Sequence, residues 1–256
     1  MSDNQSEQII LGIVHPHGSG GVNTPPHNMW LFQMRLHTWR DSSNQLQENE
    51  LHIKQEVTHQ ELNRNMNRIN AYSIVKLKVS FDTANEATLL EILDDNVQSD
   101  RELNDIVRQL QLPVTFQHDT FGEFTLNRSV DWYEGKISWV NGQVYVHVSS
   151  DESVRKHEFA FIKQIWINQQ QWEQTLKDAI ASEMLDLYND IWRESNDPEL
   201  TAEEFTQQLT LESMAVEDDG EYNFSYGDGN DYLFGGHWIV IYGNIVTGIS
   251  SIHLAG

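Results

Sequence analysis

The residues best placed to do chemistry fall in two glycine-containing segments. The first is His15-Pro16-His17-Gly18-Ser19-Gly20-Gly21. In an extended chain, alternate residues face one side, so His15 and His17 would point together as a two-histidine metal site, with His27 or His37 as a third ligand. The glycines could aim backbone N–H groups at an anion. However, the segment is neither a Walker loop nor a dinucleotide fingerprint, and no helix start follows it. The reading that asks for least is a loop with exposed histidines. The second segment holds Asp228, Asp231 and His237 beside Gly235-Gly236. Two carboxylates and an imidazole in short loops could hold a divalent cation or do acid–base work, and the glycine pair would let a ligand approach the backbone. The competing reading is a solvated hairpin at 228–231, with His237 bonded to a buried carbonyl. Neither a G-x-S-x-G nucleophile elbow nor an H-E-x-x-H zinc motif occurs, and the absence of cysteine excludes a thiol nucleophile, disulfides and Cys-based zinc sites.

The elements that must position these segments are strands first. Residues 8–14, 29–39, 51–57 and 73–81 read as strands and 15–28 as a loop. Thr58 with Glu61, Thr83 with Glu86, and Ser99 with Glu102 have the spacing of capping boxes, predicting helices over 58–70, from 83 to 93, and from 99 to about 112. After Pro113 the pattern restarts. Residues 121–149 read as three strands, Asn141-Gly142 giving a hairpin turn. A helix follows, breaks near Asn168, and resumes with Trp172, Leu176, Ile180, Met184, Leu187 and Ile191 on one face. Thr201 and Glu204 open a short helix, and four strands over 209–256 close the chain. Strands, helices and strands again predict an α+β fold. It has two modules, 1–112 and 120–256, each a mainly antiparallel sheet packed by helices. Trp132 and Trp139 are an odd number of residues apart, so on one strand they must face opposite sides, and one needs a helix over it.

The order of three stretches in the second module (FGEFTLNRSVDWYEGKISWVNGQVYV at 121–146, LDLYNDIW with LTAEEFTQQLTLESM, and FSYGDGNDYLFGGHWIVIYGN with SSIHLAG) resembles the DUF2262 family of uncharacterised bacterial proteins. The family's Phe-Trp-Gly-His stands here as Phe234-Gly235-Gly236-His237. The first module looks like the domain that often precedes that family. The resemblance implies a fold and a bacterial setting, and no activity.

Charge narrows the partners. With 39 acidic against 16 basic residues, the net charge is −23. Such a surface repels nucleic-acid phosphates and anionic lipid and attracts basic partners or cations, while the reading that asks for least is that the charge only keeps the protein soluble. Part of that charge is expected on one solvated face of the long helix, at Glu173, Asp178, Glu183, Asp186, Asp190 and Glu194. Residues 1–8 lack the basic and apolar parts of a secretion signal, and no stretch approaches the ~18 apolar residues of a membrane span. The expectation is a soluble cytoplasmic protein. Two functions follow: a non-enzymatic binding protein, immunity- or inhibitor-like, for a basic partner, or a metal-assisted hydrolase using Asp228, Asp231 and His237 with His15 or His17.

Overall fold

In the computed structural model, residues 7–23, 29–140, 142–194, 196–228 and 233–256 are described. The chain divides into two units, Met1–Pro113 with Arg128–Val130, and Val114–Asn127 with Asp131–Gly256.

In the first unit, β1 (Glu7–Asn23) pairs antiparallel with both β2 (Trp30–Arg40) and β5 (Ile74–Thr83). β5 continues to β6 (Glu86–Asp94), β6 lies parallel to β4 (Leu51–Val57), and β4 returns to β2, which also carries the short β3 (Leu46–Gln47). The order β1-β5-β6-β4-β2 therefore closes on β1, and the sheet is a barrel. Phe32, Leu36, Leu51, Ile53, Leu77 and Val79 fill it. Helix α1 (His59–Arg68) adds Leu62 to that core, and Thr58 and Glu61 form the expected capping box. Helix α2 (Arg101–Leu110) packs Leu103 against Ile13 and Ile74 in a separate cluster.

Three local expectations are corrected. Residues 86–94 are strand, not helix: Ala87 and Leu89 pair with Phe81 and Val79 and are buried in the barrel, so strand pairing overrides a locally helix-compatible sequence. Helix α2 is capped by Asp100 rather than Ser99, its side chain accepting from the Leu103 N–H at 3.0 Å. Residues 15–23 belong to β1 rather than to a loop.

The second unit is an eight-stranded sheet. Its strands are β7 (Thr115–His118), β8 (Gly122–Asn127), β9 (Trp132–Trp139), β10 (Gly142–Ser149), β11 (Thr210–Val216), β12 (Glu221–Gly227), β13 (Trp238–Asn244) and β14 (Gly248–Ala255), side by side in chain order. β7 has no counterpart in the sequence reading. All neighbours are antiparallel except β10 and β11. Their crossover contains α3 (Glu152–Ile167), α4 (Gln169–Leu187), a π-helical turn (Tyr188–Trp192) and α5 (Ala202–Gln207). These helices cover one sheet face, burying Phe159, Ile162, Leu176, Ile180 and Phe205 against Val144, Val146, Phe224 and Ile241. Trp139, 6% exposed, lies under them, while Trp132 is 36% exposed, as their odd spacing requires. Gly135 is a glycine because a Cβ there would sit 2.6 Å from the Phe124 ring.

The helix expected to run on through Ile191 instead widens into the π turn, closed by Arg193 N–H donating to Tyr188 O at 2.9 Å. One extra residue in the turn rotates Ile191 outward, where it is 70% exposed, and points Tyr188 and Trp192 toward Phe234.

Candidate functional site

Asp228 follows the end of β12 and its Oδ2 accepts from the Leu233 N–H at 2.6 Å. Gly235 and Gly236 have φ of +58° and +88°, the left-handed region that favours glycine. The chain thus doubles back so that both the backbone N–H and Nδ1 of His237 meet Phe234 O, at 3.1 and 2.8 Å. A carbonyl only accepts, so Nδ1 carries the hydrogen. The Trp192 ring packs edge-on against Phe234 and His237, with centroids 5.7 and 5.4 Å away. His237 therefore closes its own loop. Asp231 lies outside the described residues, as does His27 of the first segment.

In β1, Val14 pairs with Leu36 and Ser19 with Met34, so His15, Pro16, His17 and Gly18 stand opposite Arg35 alone. This is a large bulge, and Gly18 (φ +71°) turns the chain back into register. The His15 and His17 rings come together, 4.3 Å between centroids, and His37 stacks 6.1 Å from His15. Arg35 donates to His17 Nδ1 and pairs with Glu50 at 3.3 Å, and His15 Nε2 faces the other Glu50 oxygen at 3.4 Å. Burial, then His17 and Arg35, hold the His15 pKa down at about 4, so its ring is neutral at pH 7 and Nδ1 accepts the His17 N–H. The bulge walls a cavity of about 450 Å³ that also includes Arg35, His52, Lys54 and Glu86. A guanidinium bonded to one of these imidazoles opposes a second cation. Among the described residues, no group of three or more His, Asp or Glu is placed to hold a metal ion.

The acidic residues of the long helix divide. Glu173 turns inward and its side chain is 14% exposed. Asp178, Glu183, Asp186, Asp190 and Glu194 are exposed. Asp178 and Asp186, two turns apart, share one flank of α4. That flank and α5 enclose a groove of about 660 Å³, with Ala181, Leu185 and Ala202 as its apolar lining and Asp178, Asp186 and Glu203 as its charges. Among the described residues, no Lys or Arg lines it. The Thr201–Glu204 capping box sets α5, and with it Glu203, in place. The α4 acids are legible in the sequence, whereas Glu203, Arg35 and Glu50 come from separate elements and are not. The local sign for Glu203 was its position in the first turn after a cap.

A family model described as an uncharacterized protein conserved in bacteria (DUF2262) matches residues 118–254. A second, described as a domain of unknown function (DUF7021), matches residues 3–110. No curated protein matches.

Proposed function

The chain belongs to the DUF2262 family, and from that premise we propose that it is a non-catalytic binding protein whose partner is a basic polypeptide, in the manner of an immunity protein or inhibitor. The observation that carries the reading is the groove between α4 and α5, with acidic groups over an apolar lining and, among the described residues, no Lys or Arg. An amphipathic basic segment would lay its apolar side on Ala181, Leu185 and Ala202 and its cations against Asp178, Asp186 and Glu203. The net charge of −23 supports it, because long-range attraction speeds encounter with cationic surfaces and disfavours nucleic acid and anionic membrane. A cysteine-free chain suits a reducing compartment, and the reading sets the protein in the cytoplasm.

The test is fluorescence anisotropy with a labelled amphipathic Lys/Leu helical peptide at low and moderate salt. Two variants each remove three negative charges: Asp178→Asn/Asp186→Asn/Glu203→Gln in the groove, and Glu48→Gln/Glu56→Gln/Glu91→Gln at exposed positions of the first unit. The groove variant is expected to bind about tenfold more weakly, equivalent to ~1.4 kcal/mol, and the control to bind nearly as the wild type does. Equal losses would reduce the effect to net charge and overturn the reading. A saturable Tm rise with Zn²⁺ or Mn²⁺ that requires Asp228 and His237 would instead favour metal-assisted hydrolysis.

A further inference from the structure

Helix α4 carries a second polar feature on its sheet-facing side. Glu173 Oε2 accepts the Trp139 indole N–H at 2.7 Å and the Tyr226 O–H at 2.9 Å, and Oε1 pairs with Lys177 Nζ at 3.1 Å. Burial, and then the Glu173 carboxylate, push the Tyr226 phenol well above its ordinary pKa, so it remains a donor at any physiological pH. The carboxylate is satisfied by three donors.

Lys177 is not. An ammonium has three N–H groups, and among the described residues its one partner is Glu173 Oε1. Its side chain is only 18% exposed. The Glu152–Lys156 pair has the same i,i+4 spacing on α3, at 2.7 Å, but its side chains are 72% and 71% exposed. Withdrawing an ammonium from water costs several kcal/mol unless its donors are used, and joining α4 to the sheet requires only the bonds of Trp139 and Tyr226 to Glu173. Lys177 instead lines a cavity of about 200 Å³, together with Glu173, Gln143, Gln207 and Thr210 and the apolar surfaces of Trp139 and Leu211.

We propose that this cavity binds a small organic monocarboxylate, with the carboxylate on Lys177 and the Gln143 and Gln207 amides and a flat apolar body against Trp139 and Leu211. The volume lies below the ~300 Å³ at which drug-sized sites begin, so the ligand is of fragment size. The charge is single because Lys177 is already shared with Glu173, which also lines the cavity: one negative charge meets the ammonium, while a phosphate dianion is repelled by that carboxylate about twice as strongly. The site shares no lining residue with the α4–α5 groove, although Gln207 Nε2 donates to Glu203 Oε1 at 3.3 Å; Lys177→Gln leaves that bond in place, so either proposal can fail alone.

The experiment is an NMR titration of the ¹⁵N-labelled chain, following the Trp139 indole N–H, assigned as the signal absent from Trp139→Phe. Benzoate, acetate and inorganic phosphate are the probes, each to about 10 mM, the range of weak fragment binding. A saturable shift with benzoate, a smaller one with acetate and none with phosphate is expected, weakened at least about tenfold in Lys177→Gln. The proposal is overturned by no saturable shift, by an equal response to phosphate, or by an unchanged response in Lys177→Gln. Should Lys177→Gln not fold, the exposed-wall variant Gln143→Ala/Gln207→Ala replaces it. Weakening of benzoate binding by about threefold or more supports the site, and wild-type binding overturns it.

Discussion

On the sheet-facing flank of α4, Glu173 is enclosed by Trp139, Tyr226 and Lys177, while on the flank toward α5, Asp178 and Asp186 stand in solvent with Glu203 across a groove. All three α4 residues are carboxylates on one amphipathic helix. What separates Glu173 from Asp178 is rotation about the helix axis, roughly 140° at 100° per residue. That rotation decides whether a charge is networked and costly to remove or solvated and free to meet a partner. The acidic residues of this helix are thus two populations, the first tying the helix to the sheet and the second open to solvent.

The sharpest way to break this division is truncation. Glu173→Ala leaves the Trp139 N–H, the Tyr226 hydroxyl and a mostly buried ammonium without their acceptor, and is expected to cost about 3 kcal/mol in urea unfolding. Asp178→Ala should fall within about 0.5 kcal/mol of wild type. Similar values for the two would mean the flanks do not differ.

The first unit carries its own networked group, His15, which faces His17, Arg35, Glu50 and His37. Its pKa is about 4 when folded against the usual 6.5, so the unfolded chain binds the proton first. The stability it contributes is complete above pH 6.5 and is lost as pH falls toward 4. Acidification from pH 7 to 4.5 should therefore cost the wild type about 2 kcal/mol more than His15→Gln, measured on the first unit's unfolding transition. Parallel losses would place His15 among the solvated groups.

The smallest effect belongs to the exposed pair on α3. Lys156→Gln removes the contact with Glu152 and should cost about 0.5 kcal/mol or less, whereas Lys177→Gln, at the same spacing but with its pair enclosed, should exceed 1 kcal/mol by a clear margin. If the two lysines cost the same, enclosure is not what distinguishes their pairs.

What the sequence disclosed follows the range of the interactions. The capping boxes at Thr58 and Thr201 are local, and both stand as read. The break at Asn168 and the opposed faces of Trp132 and Trp139 follow from periodicity alone. Barrel closure does not, because the pairing of β1 with both β2 and β5 is a matter of register between distant segments. The same closure draws residues 86–94 into a strand. At the candidate sites, the closeness of His15 and His17 was legible from their alternation, while Arg35 and Glu50 reach them from elsewhere on the barrel. Nothing in the order Asp228 to His237 announced that the π turn would supply Trp192 to that loop, since a π bulge leaves no periodic mark.

The most direct test of the acidic flank as the recognition surface is amide chemical-shift mapping of the ¹⁵N-labelled chain during titration with the amphipathic basic peptide. Perturbations are expected to centre on Asp178, Ala181, Asp186, Ala202 and Glu203 and to fade as salt is raised. Perturbations centred on the exposed Trp238 and Tyr242, or scattered over every acidic surface, would contradict it.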